Sequence, residues 1–61
     1  MTADELRSHG ELLYGTRWKS NLAAELPIST RSIRYWLAGT HVIRPVIVKR
    51  IEAMVAERLR S

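Results

Sequence analysis

No cysteine occurs in this chain of 61 residues, and that absence sets the terms on which it can fold. Chains this short bury barely enough surface to hold themselves together, and the usual remedies are disulfides, a thiolate-held metal or a second subunit. The first two need sulfur and are excluded. A single small apolar core is therefore expected, with self-association as the source of further burial. No uninterrupted apolar run approaches the length needed to span a bilayer or to act as a signal peptide, so a cytoplasmic protein with no membrane partner is expected.

The spacing of apolar residues predicts an all-α chain, a compact bundle of about four helices over residues 3–14, 17–26, 30–38 and 45–60. Thr2 and Glu5 have the spacing of a capping box, followed by Leu6, Gly10 and Leu13 on one helical face, with Gly15 as the stop. Gly10 weakens a helix unless a neighbour must approach closely there. Thr16 is placed to cap the second helix, whose stripe is Trp18, Leu22 and Leu26 with the small Ala23 beside it, and Pro27 ends it. Ser29 is the expected N-cap of the third helix and Gly39 its stop. Counted at 100° per residue, Ile33, Trp36 and Leu37 face inward, Arg31 and Tyr35 lie nearly opposite, and Ser32 and Arg34 sit on the flanks. The stretch THVIRP is read as a loop, although its β-branched run also suits a short strand. Pro45 then starts a last helix with Val48, Ile51, Val55 and Leu59 at helical spacing, and Ile47 and Met54 widen its apolar arc.

Charge is distributed unevenly. Between Thr16 and Arg50 lie Arg17, Lys19, Arg31, Arg34, Arg44, Lys49 and Arg50 against one acid, Glu25, and the whole chain carries a formal +4. A localised basic region is the electrostatic footprint of a nucleic-acid binder, and equally of a solvated basic face with no partner.

A helix of about eight residues, a short turn and a second helix with polar residues outward describe a helix-turn-helix, whose second helix enters the DNA major groove. Residues 22–39, LAAELPISTRSIRYWLAG, make the likeness specific. They resemble the lambda-repressor/Cro-like family, in which a leucine-alanine pair in the first helix, here Leu22 and Ala23, packs against an aliphatic and a tryptophan in the second, here Ile33 and Trp36. Ile28 and Ser29 match the apolar and small hydroxyl residues before the second helix, and Trp36 to Pro45 resembles the loop that follows. The chain departs from the pattern at Pro27, where glycine is common and proline does not supply a positive φ. It is also shorter than five-helix members, which leaves the last helix to make any dimer contact.

What the resemblance implies is a sequence-specific regulator of transcription, a homodimeric repressor that recognises double-stranded DNA with an inverted-repeat operator. Compact autorepressors of this kind are encoded by phages and other mobile elements, some beside anti-defence genes. Thr30, Arg31, Ser32, Arg34 and Tyr35 are the candidate base-reading residues; Arg31 is foremost, since a guanidinium bonds both O6 and N7 of guanine. Arg34 suits a phosphate as well as a base, and Tyr35 suits a thymine methyl, a phosphate or a place as a surface aromatic. Candidate DNA-backbone residues are Arg17, Lys19, Ser29, Thr40, His41 and Arg44. The candidate dimer interface is Ile47, Ile51, Met54, Val55 and Arg58.

Trp18 and Trp36 lie on inward stripes and are expected in the core rather than stacked on unpaired bases. Two histidines without cysteine make a poor ligand set, and the serines lack a histidine-acid partner at interpretable spacing. No enzymatic activity, cofactor, metal or small-molecule ligand is expected. Two other readings of the basic face are an adaptor for an acidic protein and a membrane-surface peptide, the latter disfavoured by the balanced charge of the last helix.

Overall fold

The computed structural model describes residues 1–60. Among them there is no strand; the helices are α1 (Ala3–Tyr14), α2 (Trp18–Glu25), α3 (Thr30–Ala38) and α4 (Pro45–Arg60), with a 3-10 turn at Gly15–Arg17. The stretch from Thr40 to Arg44 is loop, as its sequence suggests, and none of the helices is long and apolar enough to cross a membrane.

α1 begins with the expected capping box. Thr2 Oγ1 accepts from the Glu5 amide at 3.1 Å, and Glu5 Oε1 accepts from the Thr2 amide at 2.8 Å. Two of the helix's orphan donors are thereby satisfied. The bond from the Thr2 backbone, then that from its side chain, hold the Glu5 carboxyl below its ordinary range.

Around α1 the other helices assemble: it packs against α2, α3 and α4, and α2 packs against α3, while α4 makes no close backbone approach to either of those two. Each helix contributes one fully buried aliphatic, namely Leu6, Leu22, Ile33 and Ile51. Trp18, Ala23, Leu26, Ile43 and Val55 complete the core. Burial of each large side chain stabilises by about 1.5–3 kcal/mol, so these few residues dominate the favourable side of folding.

Thr16 does not cap α2. The chain enters that helix through the 3-10 turn, Arg17 occupies the cap position, and no side chain caps it. Arg17, at φ −98° and ψ 31°, is not in the extended geometry that a side-chain cap requires. Leu59 also departs from expectation and is largely exposed, because the last turn of α4 runs past the core. Ile51 and Val55, which the sequence places both on the core stripe and in the candidate dimer interface, are buried in the chain's own core and leave little surface to a second copy. Packing against α1 takes the centre of the α4 stripe first; Ile47 and Met54 are half-buried beside it and Arg58 is exposed.

α2 and α3 end in related turns. Past α3, Gly39 sits at φ 79° and ψ 10°; its amide donates to the Trp36 carbonyl, and that of Thr40 to the Tyr35 carbonyl, each at 3.2 Å. This is the paired bonding of a Schellman motif, which wants a left-handed residue at the glycine position. Past α2, the Ile28 amide donates to the Ala23 carbonyl at 2.9 Å, the same six-residue bond, with Pro27 at the glycine's place. Pro27 stands at φ 20°, against the expectation that proline stays negative there, and lacks the amide for the second bond.

Candidate nucleic-acid interface

α3 is held from one side. Ile33 is fully buried, Trp36 and Leu37 are half-buried against the core, and the opposite surface carries Thr30, Arg31, Arg34 and Tyr35, all exposed. Ser32 is half-buried on the flank. Ser29 caps the helix, its Oγ accepting from the Arg31 amide at 3.0 Å from an extended backbone. The remaining first-turn amides and the positive end of the helix dipole point the same way as Ser29 and Thr30, a setting favourable to an anion.

At the other end of α3 the structure draws Tyr35, Thr40 and His41 together. Thr40 Oγ1 donates to the Tyr35 carbonyl at 3.2 Å and lies 3.1 Å from His41 Nδ1. The rings of Tyr35 and His41 stack, with centroids 4.8 Å apart and planes 26° from parallel. Beside this stack an open pocket of about 380 Å³ is lined by the apolar Ile28, Trp36 and Ile47 and by the polar Ser32, His41 and Arg44 among others. Ser32, Tyr35, His41 and Arg44, assigned from sequence to different roles, thus share one concavity.

Arg17 and Lys19 stand apart, in the 3-10 turn and the first turn of α2, both exposed. No hydrogen bond or ion pair among the described residues joins their side chains to α3; the Arg17 carbonyl accepts from Asn21 Nδ2 at 3.1 Å. The ion pairs that do form, Arg7–Asp4 at 3.6 Å and Arg60–Glu57 at 3.8 Å, are exposed and lie near the two chain ends. Among the described residues none engages Arg17, Lys19, Arg31, Arg34 or Arg44, so the mid-chain excess of positive charge is not neutralised within the fold. Arg50 is different: its Nη2 donates to the Glu25 carbonyl at 3.4 Å and thereby caps the C-terminal end of α2 from α4.

The exposed aliphatics beside this surface are not among the residues singled out from the sequence. Val42, which lines the pocket, and Val46, two residues past Arg44, are largely exposed aliphatics, while Ile43 between them is buried and pins the loop. The signal was alternation, out at Val42, in at Ile43 and out at Arg44, which marks an extended segment with one side on the core. No group of three or more His, Cys, Asp or Glu among the described residues is arranged to hold a metal ion. Tyr14 is raised above its ordinary pKa by burial and then by the charge of Glu25, and it lies outside this surface.

No protein-family model, no curated protein and no solved structure matches the chain.

Proposed function

We propose that the chain is a sequence-specific double-stranded DNA-binding regulator of the lambda-repressor/Cro-like kind, with α2 and α3 as the two arms of a helix-turn-helix and α4 completing a four-helix domain. The supporting observation is α3 itself: a short helix with Ile33 locked in the core and Arg31, Arg34 and Tyr35 exposed without an anionic partner among the described residues. Two solvated arginines on one helix also suit an ordinary basic surface, so the reading rests on their sharing the outer face of a helix of this size with Tyr35. A major groove suits that face, because it admits a helix and offers guanine O6 and N7 to a guanidinium.

In this reading Arg31 reads a base from the first turn of α3, with Thr30, Ser32, Arg34 and Tyr35 around it. Arg17, Lys19, Ser29 and Arg44 hold phosphates. Two copies occupy inverted half-sites about 10 bp, or roughly 34 Å, apart and repress by excluding polymerase. Because Ile51 and Val55 are committed to the core, the second copy meets the surface that α4 still offers through Ile47, Met54 and Arg58. Such a protein suits the compact autorepressors of phages and mobile elements.

The test is a gel shift at several salt concentrations, comparing a duplex enriched by the protein from a random library with unselected duplex. Preference for an enriched inverted repeat is the expected result. Binding without preference would sink the regulator reading, and no DNA binding at all would favour an adaptor for an acidic protein.

A further inference from the structure

Thr40 has one hydroxyl proton and two polar neighbours. The Tyr35 carbonyl, 3.2 Å from Thr40 Oγ1, has no proton to give, so the proton between them is the threonine's own. The second contact, 3.1 Å to His41 Nδ1, then needs its proton from the imidazole. With both contacts made as hydrogen bonds, neutral His41 carries its hydrogen on Nδ1 and a lone pair on Nε2. A lone pair offers nothing to a phosphate oxygen, so the neutral ring does not make the backbone contact that its place beside Arg44 suggests.

The same ring lies on Tyr35, centroid to centroid at 4.8 Å. Tyr35 is 43% exposed on the outer side of α3, where a free aromatic ring would exchange among rotamers. One contact limits that exchange, the stack itself; the Thr40 hydroxyl and amide bonds to the Tyr35 carbonyl, each 3.2 Å, instead hold the backbone turn that brings His41 over the ring. The left-handed Gly39 turns the chain back so that Thr40 and His41 can reach Tyr35 at all.

We propose that His41 is a positioning residue for Tyr35: Thr40 fixes its tautomer and plane, and the stacked imidazole holds the phenol ring in the one orientation that reads a base. The assignment rests on the DNA-binding reading for what Tyr35 touches, and on the geometry alone for how Tyr35 is held. It moves His41 from the phosphate contacts to the determinants of specificity.

Two measurements test it. Two-bond 15N–1H correlation spectra of the free protein near neutral pH are expected to show His41 protonated at Nδ1, and side-chain couplings are expected to show one Tyr35 rotamer. Thr40→Val should release both and Thr40→Ser should restore both. Hydrogen on Nε2, or a Tyr35 ring equally ordered in His41→Ala, would overturn the proposal whether or not the protein binds DNA.

On an enriched operator, His41→Ala is expected to lower discrimination at one base pair by about tenfold while leaving affinity for unselected duplex unchanged. His41→Phe, which keeps a stacking ring, should recover most of it. An equal loss on every duplex with a shallower salt dependence would identify a phosphate anchor instead and overturn the assignment. An unaltered protein with no sequence preference would remove the DNA reading, and the spectra of the free protein would still decide the positioning role.

Discussion

The indole of Trp18 occupies the space that a Cβ on Gly10 would need: such a carbon would sit 2.9 Å from Cγ of the ring and closer still to Cδ2 and Cε3. Gly10 is buried in the third turn of α1, and Trp18 is the first residue of α2, so this contact sets how closely the two helices meet. Gly10→Ala therefore trades a helix-propensity gain of up to about 1 kcal/mol against overpacking of about 1–3 kcal/mol. Because Trp18 is itself only 3% exposed, the ring has little room to retreat, and the second effect wins. Thermal unfolding followed by circular dichroism should show a net loss of about 1–2 kcal/mol, which for a domain this small lowers the midpoint by several degrees. An unchanged or higher midpoint would mean that the ring moves freely.

Pro27 and Gly39 hold the same place in two helix-ending turns, and only the glycine suits it. Pro27 at φ 20° carries strain of about 1–3 kcal/mol and forgoes a hydrogen bond with a net value of about 1 kcal/mol. Replacing it by glycine loses about 1 kcal/mol through the greater freedom of the unfolded chain. The sum favours Pro27→Gly by about 1–3 kcal/mol. Denaturant unfolding should show a higher midpoint at unchanged slope; a lower midpoint would show that the ring's restriction of the unfolded state outweighs both gains.

Much of the fold was legible because helices announce their own ends. Thr2, Ser29 and Gly39 act where their chemistry places them, through bonds that span no more than five residues. What the sequence hid depends on partners far along the chain. Ile51 and Val55 sit mid-stripe on α4, where a core contact and a dimer contact look alike until α1 covers them, and Arg50 reads as one more surface cation until it meets the carbonyl of Glu25. Thr16 is misleading for a local reason, since a 3-10 turn leaves no extended residue for it to cap. On α3 the exposed positions followed from the angular count. The stack of His41 on Tyr35 did not, because it requires the reversal at Gly39 as well as the identity of both rings.

The capping box of α1 responds to pH in a direction fixed by Glu5. Its carboxyl is depressed in the folded chain, first by the bond from the Thr2 backbone and then by that from the Thr2 side chain. A depressed carboxyl contributes stability that is fully present above its ordinary value of 4.5 and is lost as pH falls through the lower folded value. Stability measured from pH 6 downward should therefore decline in the acid range. In Glu5→Gln, where the partner stays but the charge does not, that part of the decline should vanish. An identical acid profile in the two proteins would place the titration elsewhere.

Arg31 and Lys19 are predicted to fail differently. Both are exposed and without an ion-pair partner among the described residues, so alanine at either position should leave the fold intact. If Arg31 bonds a guanine edge, Arg31→Ala costs about 1–3 kcal/mol on the enriched operator, relaxes the preference at one base pair, and costs little on unselected duplex. Lys19→Ala should weaken all duplexes alike and lower the salt slope by about one. Titrations of both variants at several salt concentrations separate the two patterns.

Ser29 carries two assignments that one substitution pulls apart. Its Oγ accepts from the Arg31 amide, which fixes it as the cap of α3, and the proposed function has the same residue touching a phosphate. Ser29→Ala removes both roles and should cost about 1 kcal/mol of stability. Ser29→Asp is the sharper test. Aspartate caps as well as serine, and its charge suits the helix N-terminus, so the folded protein should be as stable as the original or slightly more so. A carboxylate facing a phosphate is repelled at the same distance where a hydroxyl donates. Stability retained together with DNA affinity lost is the expected pair of results. If Ser29→Asp binds duplex as tightly as the unaltered protein, the N-terminus of α3 does not approach the DNA backbone, and the orientation of α3 in the groove has to be redrawn.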